Sequence, residues 1–397
     1  MRILLVAPQP FYQERGSPIA VKLLIETLCD SGYSIDLLTY HEGQKQKIKG
    51  LRTFRIRPPV FIENIPIGIS WKKIVCDIFI SLKLIHLLTK YDYGVVHAVE
   101  EAVFPALLLK SIFGFKLVYD MDSSMVEQLI DKYPQLKTLS KPMRFFEKLA
   151  VRGSDVVLPV CDSLAEVITE YALHKRKFVL HDVPLISEIK AGSDVEDLRR
   201  SLGFTGTVVL YVGNLEYYQG IDLMLKAFTI MSNRKDIHLV VIGGNEEDVV
   251  KYKIAVAERR IDSHIHFIGP RPLSRLFDYL MQADILVSPR LSGQNTPMKI
   301  YSYLASGRPI LATDIPSHNQ VLDNSCSVVV KPEPQAIAKG LMRLAGNVDL
   351  CRRIGLAGQE LVNTRYSYSE YRKKLLKAYA TFNPDRSLQE TSGRDQE

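Results

Sequence analysis

Short apolar runs and longer amphipathic stretches alternate along this chain. In the first half, runs at 3–7, 34–39, 93–97, 116–119, 156–159 and 178–180 are separated by helical patterns near 18–30, 71–89, 101–112 and 143–151. Runs that are apolar throughout, rather than at every second position, belong to strands covered on both faces. Their alternation with helices predicts a parallel sheet. A polar segment, 187–201, carries Asp194, Glu196, Asp197, Arg199 and Arg200 and interrupts the pattern. The runs then restart at 208–212 and continue at 238–242, 264–267, 285–287, 310–313 and 327–330. The expectation is an α/β protein of two facing, doubly wound, Rossmann-like domains, 1–190 and 200–365, with a cleft between them. Residues 333–382 read as mainly helical, and the polar end 383–397 as disordered.

Composition narrows the classes. With 397 residues, 46% hydrophobic and 24% charged, the chain is an ordinary globular one of two-domain size. Its five cysteines, Cys29, Cys76, Cys161, Cys326 and Cys351, are scattered without metal-ligand or redox spacing, so the reading includes no metal and a reducing, cytoplasmic compartment. No apolar run reaches the roughly 18–20 residues that span a bilayer. The longest, 74–88 and 102–119, are broken by Asp77, Lys83, Lys110 and Lys116. The net charge of +7 is concentrated at 44–57 in Lys45, Lys47, Lys49, Arg52, Arg55 and Arg57, with Lys72 and Lys73 soon after. Two readings stand for that segment: a solvated loop, or peripheral contact with anionic lipid at the inner membrane face, helped by Phe61, Ile65, Ile67, Ile69 and Trp71. Nucleic acid is not an expected partner, since no clustered basic recognition helix or aromatic-basic motif occurs.

The chemistry-bearing stretch is 282–316, read as strand, polar loop, short helix and strand. Asn295 or Thr296 is placed as the helix N-cap, Pro297 in the first turn, and Gly307 with Pro309 at the close. Unpaired N–H groups at that start favour a phosphate or carboxylate. Lys299, a cation in a first turn, opposes the helix dipole by ~0.3–1 kcal/mol unless an anion lies between them. The alternative is an ordinary capped helix whose Lys299 reaches water. Further binding loops follow the first strands of each half: 13–18, where Gly16 permits close backbone approach, and 213–220, followed one strand later by Gly243-Gly244. No P-loop or dinucleotide glycine fingerprint is present.

The order of these motifs resembles the family 4 retaining glycosyltransferases of GT-B fold. The likeness runs from Gly16 through 213–220 and the 282–316 unit to a helix at 366–382, which resembles the helix that crosses back to the first domain in that fold. The resemblance implies transfer of a sugar from a nucleotide diphosphate sugar donor, bound to the second domain, with retained configuration and no obligatory metal or cofactor. The acceptor, a saccharide or lipid-linked molecule, would lie on the first domain, in cell-surface polysaccharide or glycolipid synthesis.

Five of the family's charged or catalytic positions are altered here. The Arg and Lys that hold the donor diphosphate fall on Asn214 and Gln219; the pair of glutamates eight positions apart falls on Gln294 and Ser302; the acceptor-side histidine falls on Asp122. In a divergent, active subfamily, Arg290 and Lys299 would carry the diphosphate charge, with Arg15 adding a third cation from the acceptor side. Asp122 and Asp120 would orient the sugar or acceptor hydroxyl or act as base, or else simply cap the next helix. His97 would touch the acceptor or stay a buried structural residue. The donor set is then Gly16, Asn214, Gln219, Arg290, Gln294, Asn295, Thr296, Lys299 and Ser302. The alternative is an inactive sugar-nucleotide-binding or partner subunit.

Overall fold

A computed structural model describes residues 2–14, 16–66, 70–185 and 195–382. The predicted tail at 383–397, Arg15, Ile67, Ile69, and residues 187–194 of the polar segment lie outside them. The chain divides into two compact units: Met1–His181 together with the chain from Tyr371 onward, and Asp182–Glu370.

The first unit holds β1 (Arg2–Ala7), β2 (Ser34–Thr39), β3 (Leu51–Arg55), β4 (Val95–Val99), β5 (Lys116–Met121) and β6 (Val156–Pro159) in the order β3-β2-β1-β4-β5-β6, parallel throughout. The second holds β7 (Thr207–Val212), β8 (Ile237–Ile242), β9 (Ile265–Gly269), β10 (Ile285–Ser288), β11 (Ile310–Thr313) and β12 (Val328–Val330) in the order β12-β11-β10-β7-β8-β9, again parallel. Both faces of the second sheet are covered. Val209, Tyr211, Leu239 and Val241 pack with Met224, Phe228 and Leu341, whereas the alternate residues Val208, Leu210 and Val240 pack with Tyr303 and Leu280. Period-2 alternation thus sends every second residue into a different apolar layer, which is why no polar stripe interrupts these runs. Each fully buried Val or Leu contributes roughly 1.5–3 kcal/mol.

Two local expectations change. Residues 51–55 form an edge strand, not a loop, because Arg52 and Arg55 are structural. Arg52 grips Asp36 of β2 through Nε and Nη2 at 2.9 and 2.5 Å, and Arg2 reaches the same carboxylate at 2.7 Å. Arg55 donates to the carbonyls of Phe11 at 2.5 Å and His41 at 3.1 Å. Residues 178–180 run beside β6, with Phe178 N donating to Val157 O at 3.1 Å, but extend no further than a single bridge at Lys177. No helix among the described residues is long and apolar enough to cross a membrane.

In each sheet the strand order reverses once, between β1 and β4 and between β7 and β10. In open parallel sheets the crevice outside the carboxyl ends at such a reversal takes the ligand.

Candidate functional site

At the reversal of the second sheet, the loop after β7 and the loop after β10 meet. Gly220 sits at φ +76°, and a Cβ there would lie 1.9 Å from the carbonyl oxygen of Pro289, just past β10. A glycine is required both by the left-handed conformation and by this approach. Leu291 N donates to Tyr218 O at 2.8 Å, tying the same two loops together. Gly220→Ala is therefore expected to cost about 1–3 kcal/mol in chemical denaturation. Gly16→Ala, where a Cβ would meet nothing within 4 Å, serves as the neutral control.

Lys299 reaches into this junction. Its Nζ donates to Gln219 Oε1 at 3.2 Å and lies 3.9 Å from the centroid of the Tyr211 ring. A Cβ on Gly213 would lie 2.9 Å from that nitrogen, so the loop leaves room for the ammonium. Arg290 stands over the Tyr218 ring at 5.3 Å and donates through Nη1 to Asn295 O at 3.1 Å. Its own carbonyl accepts from Thr313 Oγ1. Burial, and then the charge of Arg290, hold the Lys299 pKa well below that of an ordinary lysine; burial lowers Arg290 too. No carboxylate acts on either group, and neither forms an ion pair among the described residues. Arg290 Nε and the buried Thr296 Oγ1 have no hydrogen-bond partner. Two crowded cations and two idle donors with no counter-charge form a site that an anion completes.

Beneath it, His318 is neutral. Burial pushes its pKa down to about 4. Its Nδ1 is 2.8 Å from the Thr313 carbonyl, which only accepts, so Nδ1 carries the proton and Nε2 accepts from Ser288 Oγ at 2.9 Å. This buried triad ties β10 to β11 under Arg290 without adding charge.

Several donor-side expectations are corrected. The helix of the 282–316 unit is Lys299–Ala305, with Met298 at its N-cap and no side-chain cap. Neither Asn295 nor Thr296 caps it, and Pro297 precedes it, its carbonyl accepting from Ile300 N at 2.9 Å. Pro297 and Met298 instead close a turn, so the attraction for an anion rests on side chains more than on the dipole of this seven-residue helix. Ser302 has no accessible surface and its Oγ accepts from Leu185 N at 2.9 Å, so it is a structural residue and not a donor contact. Asn214 is exposed and contributes its carbonyl, which accepts from Tyr211 OH at 2.6 Å. The carbonyl of Gln294 accepts from Gln320 Nε2 at 2.5 Å. Gly16 opens the helix Gly16–Asp30 after β1, and Arg15 lies outside the described residues.

In the first unit, His97 lies in the middle of β4, fully buried, with Nε2 3.1 Å from Asp120 Oδ2 and Nδ1 2.8 Å from Tyr379 OH. It is a structural residue, not an acceptor contact, and it fixes the Asp120 carboxyl beneath the surface. Asp122 follows β5, half-buried, and does not cap the next helix; Ser124 does, accepting from Glu127 N at 3.4 Å.

Glu100, which with Glu101 reads from sequence only as a helix start that favours the dipole, stands immediately after β4 at the reversal point. Its φ of +47° is unusual for a side chain with a Cβ. Its Oε1 accepts from Ser123 Oγ at 3.1 Å. Burial, and then the neighbouring Glu101 charge, push its pKa up to about 7; Lys73, which pairs with Glu101 at 2.5 Å, moderates the shift. A strained, half-neutral carboxyl at a strand's carboxyl end marks a candidate acid or base. Its burial and its contact with Ser123, 23 positions away, are tertiary and leave no local signal. No cluster of three metal-ligating side chains occurs among the described residues.

A family model described as glycosyl transferases group 1 matches residues 206–347, the part of the chain that carries the cation pair and its loops. Over that stretch the chain is similar to the group 1 glycosyl transferases. An uncharacterized glycosyltransferase of Methanocaldococcus jannaschii is 23% identical over 92% of this chain and 94% of its own length. A phosphatidyl-myo-inositol mannosyltransferase of Mycobacterium leprae is 25% identical over 44% of this chain and 47% of its own. Among solved structures, a sucrose-phosphate synthase of Thermosynechococcus elongatus superposes with a TM-score of 0.78 at 18% identity, covering 96% of this chain and 98% of its own. The Anabaena protein HepE, solved with UDP, gives 0.73 at 13% identity, covering 96% and 100%. These neighbours establish the GT-B fold of two Rossmann-like domains.

Proposed function

We propose that the chain is a retaining, family 4-like hexosyltransferase that moves a sugar from a nucleotide diphosphate sugar to a hydroxyl of a saccharide or lipid-linked acceptor, in cell-surface polysaccharide or glycolipid synthesis. The observation that carries this reading is the unpaired cation pair, Lys299 and Arg290, with the idle donors Arg290 Nε and Thr296 Oγ1, at the β7/β10 reversal. Lys299 Nζ lies beside Gln219, where the resembling family carries its own lysine, so a cation from another part of the chain occupies the vacated place. The UDP bound to HepE and the mannosyl transfer of the mycobacterial relative support a nucleotide-linked sugar donor.

Chemically, the bond from the anomeric carbon to the diphosphate breaks with its electron pair on the diphosphate oxygen. Lys299 and Arg290 stabilise that growing charge. The acceptor oxygen bonds to the anomeric carbon on the same face, and its proton passes to a carboxylate. Glu100, with a pKa of about 7, is suited to that step, and Ser123, which follows Asp122 after β5, donates a hydrogen bond to it. No cofactor enters the scheme; the nucleotide sugar is a substrate.

The test is thermal unfolding of the purified chain with uridine, guanosine, adenosine and thymidine diphosphates and their sugar conjugates, with conjugate hydrolysis followed in parallel. A ligand at a hundredfold excess over its Kd stabilises by about 2.7 kcal/mol. One nucleotide should stabilise the protein and its sugar conjugate should hydrolyse slowly. Stabilisation with neither hydrolysis nor transfer to any acceptor would favour an inactive binding subunit, and no stabilisation by any would refute the donor site.

A further inference from the structure

The helix Trp71–Lys90 is apolar on two opposite faces. Cys76, Ile80, Leu84 and Leu87 point into the core of the first unit. On the other side Trp71, Ile74, Ile78, Leu82 and Ile85 are 58, 55, 55, 58 and 41% exposed. At 3.6 residues per turn these five fall within about 80° of the helix circumference, a continuous stripe of large apolar side chains facing water. Phe61 and Val60, 72 and 89% exposed, precede this helix in the sequence. Folding of the unit gives no reason to keep such residues on the outside.

Beside the stripe lies an open groove of 1040 Å³, to which Leu82 itself belongs. Lys45, Lys47, Arg57 and Lys83 line it, Phe54 and Phe79 form apolar wall, and no Asp or Glu takes part. Lys45, Lys47 and Arg57 are exposed and enter no ion pair among the described residues. By contrast Arg52 and Arg55, from the same basic segment, are spent on Asp36 and on backbone carbonyls. Four cations without counter-charge, set against an apolar stripe on one element, match a surface that is anionic at its headgroups and apolar just beneath them.

We infer that this face docks on a lipid bilayer bearing anionic headgroups, the stripe of Trp71, Ile74, Ile78, Leu82 and Ile85 entering the acyl boundary and the groove of Lys45, Lys47, Arg57 and Lys83 receiving headgroup phosphate. The inference stands apart from the donor chemistry, since the test uses neither nucleotide nor acceptor sugar. The full chain is mixed with phosphatidylglycerol–phosphatidylcholine vesicles or with phosphatidylcholine alone and separated by flotation. The expected result is partition to the anionic vesicles at least ~10-fold above the neutral ones, weakening as salt shortens the screening length. Ile78→Ser with Leu82→Ser lowers partition about 10-fold or more. Reversing three charges (K45E, K47E and K83E together) removes the anionic preference, at roughly fivefold per lysine. Both variants alter exposed or half-exposed positions, and circular dichroism verifies their fold. Equal partition of the serine variant, or no preference for anionic vesicles, overturns the inference. So does a concentration-dependent dimer that the serine variant dissociates while vesicles bind neither form, which would assign the stripe to a second copy of this chain.

Discussion

Replacing Lys299 by methionine is expected to weaken nucleoside diphosphate binding by roughly 10–100-fold while making the ligand-free protein more stable. The two signs differ for one physical reason. In the free protein the ammonium is enclosed, next to Arg290 and far from any carboxylate, and its pKa is held well below that of an exposed lysine. A lysine whose folded pKa lies below its unfolded value destabilises the fold at every pH where the unfolded chain would carry the charge, and the penalty fades only as pH rises toward the ordinary lysine range. Methionine keeps the apolar stem and removes that penalty. With the diphosphate bound, the ammonium becomes a charge-assisted donor, worth about 1.5–3 kcal/mol, and this is what the substitution removes. Binding of the uncharged nucleoside should be unchanged. The same linkage predicts that the wild-type protein takes up protons on binding the diphosphate wherever Lys299 is partly neutral, so affinity falls as pH rises. Calorimetry in buffers of different ionisation enthalpy, with thermal unfolding of both proteins, measures all of these. Equal weakening for diphosphate and nucleoside would refute the role of Lys299.

The second large effect is on turnover. Glu100→Gln preserves the size of the side chain and an acceptor for Ser123, but holds no proton-accepting carboxylate. A loss of about 10²–10³-fold in kcat is expected, with donor affinity unchanged. The pH dependence gives the sharper test. Glu100 must be ionised to accept the proton, and its pKa is about 7, so wild-type turnover rises with pH through about 7 and falls away below it. In the variant that limb disappears. A variant that keeps the limb near neutrality, at any rate, would move the titrating role to another group such as Asp77, whose pKa burial also raises to about 7.

How much of this was readable in advance varies with the kind of interaction. The apolar runs at 34–39, 156–159 and 310–313 coincide with β2, β6 and β11, because a strand covered on both faces is apolar at most positions, Asp36 of β2 being held by Arg2 and Arg52. The edge strand β3 went unread because its charges are paired across the sheet with Asp36 and with carbonyls of a distant loop, partners that no local window contains. The start of the Lys299 helix was placed three residues early, because a proline and two good capping side chains also suit a turn. Sequence leaves His97 open between an acceptor contact and a buried structural residue and places Ser302 at the donor, yet each is buried with partners from elsewhere in its unit, Tyr379 for one and Leu185 for the other.

Sequence alone determined the class of this protein: apolar periodicity specifies two parallel α/β sheets, and the glycines and polar loops that follow the strands specify where a ligand can approach. Tertiary structure decided which charges meet. Lys299 and Gln219 are 80 positions apart, and only the strand order that brings β10 beside β7 places their side chains in hydrogen-bond contact. The burial that depresses Lys299 and raises Glu100 is likewise a property of packed neighbours. Hydrophobic patterning acts over one or two turns of chain and is visible there, whereas desolvation and charge pairing act through space and appear only once the chain has folded.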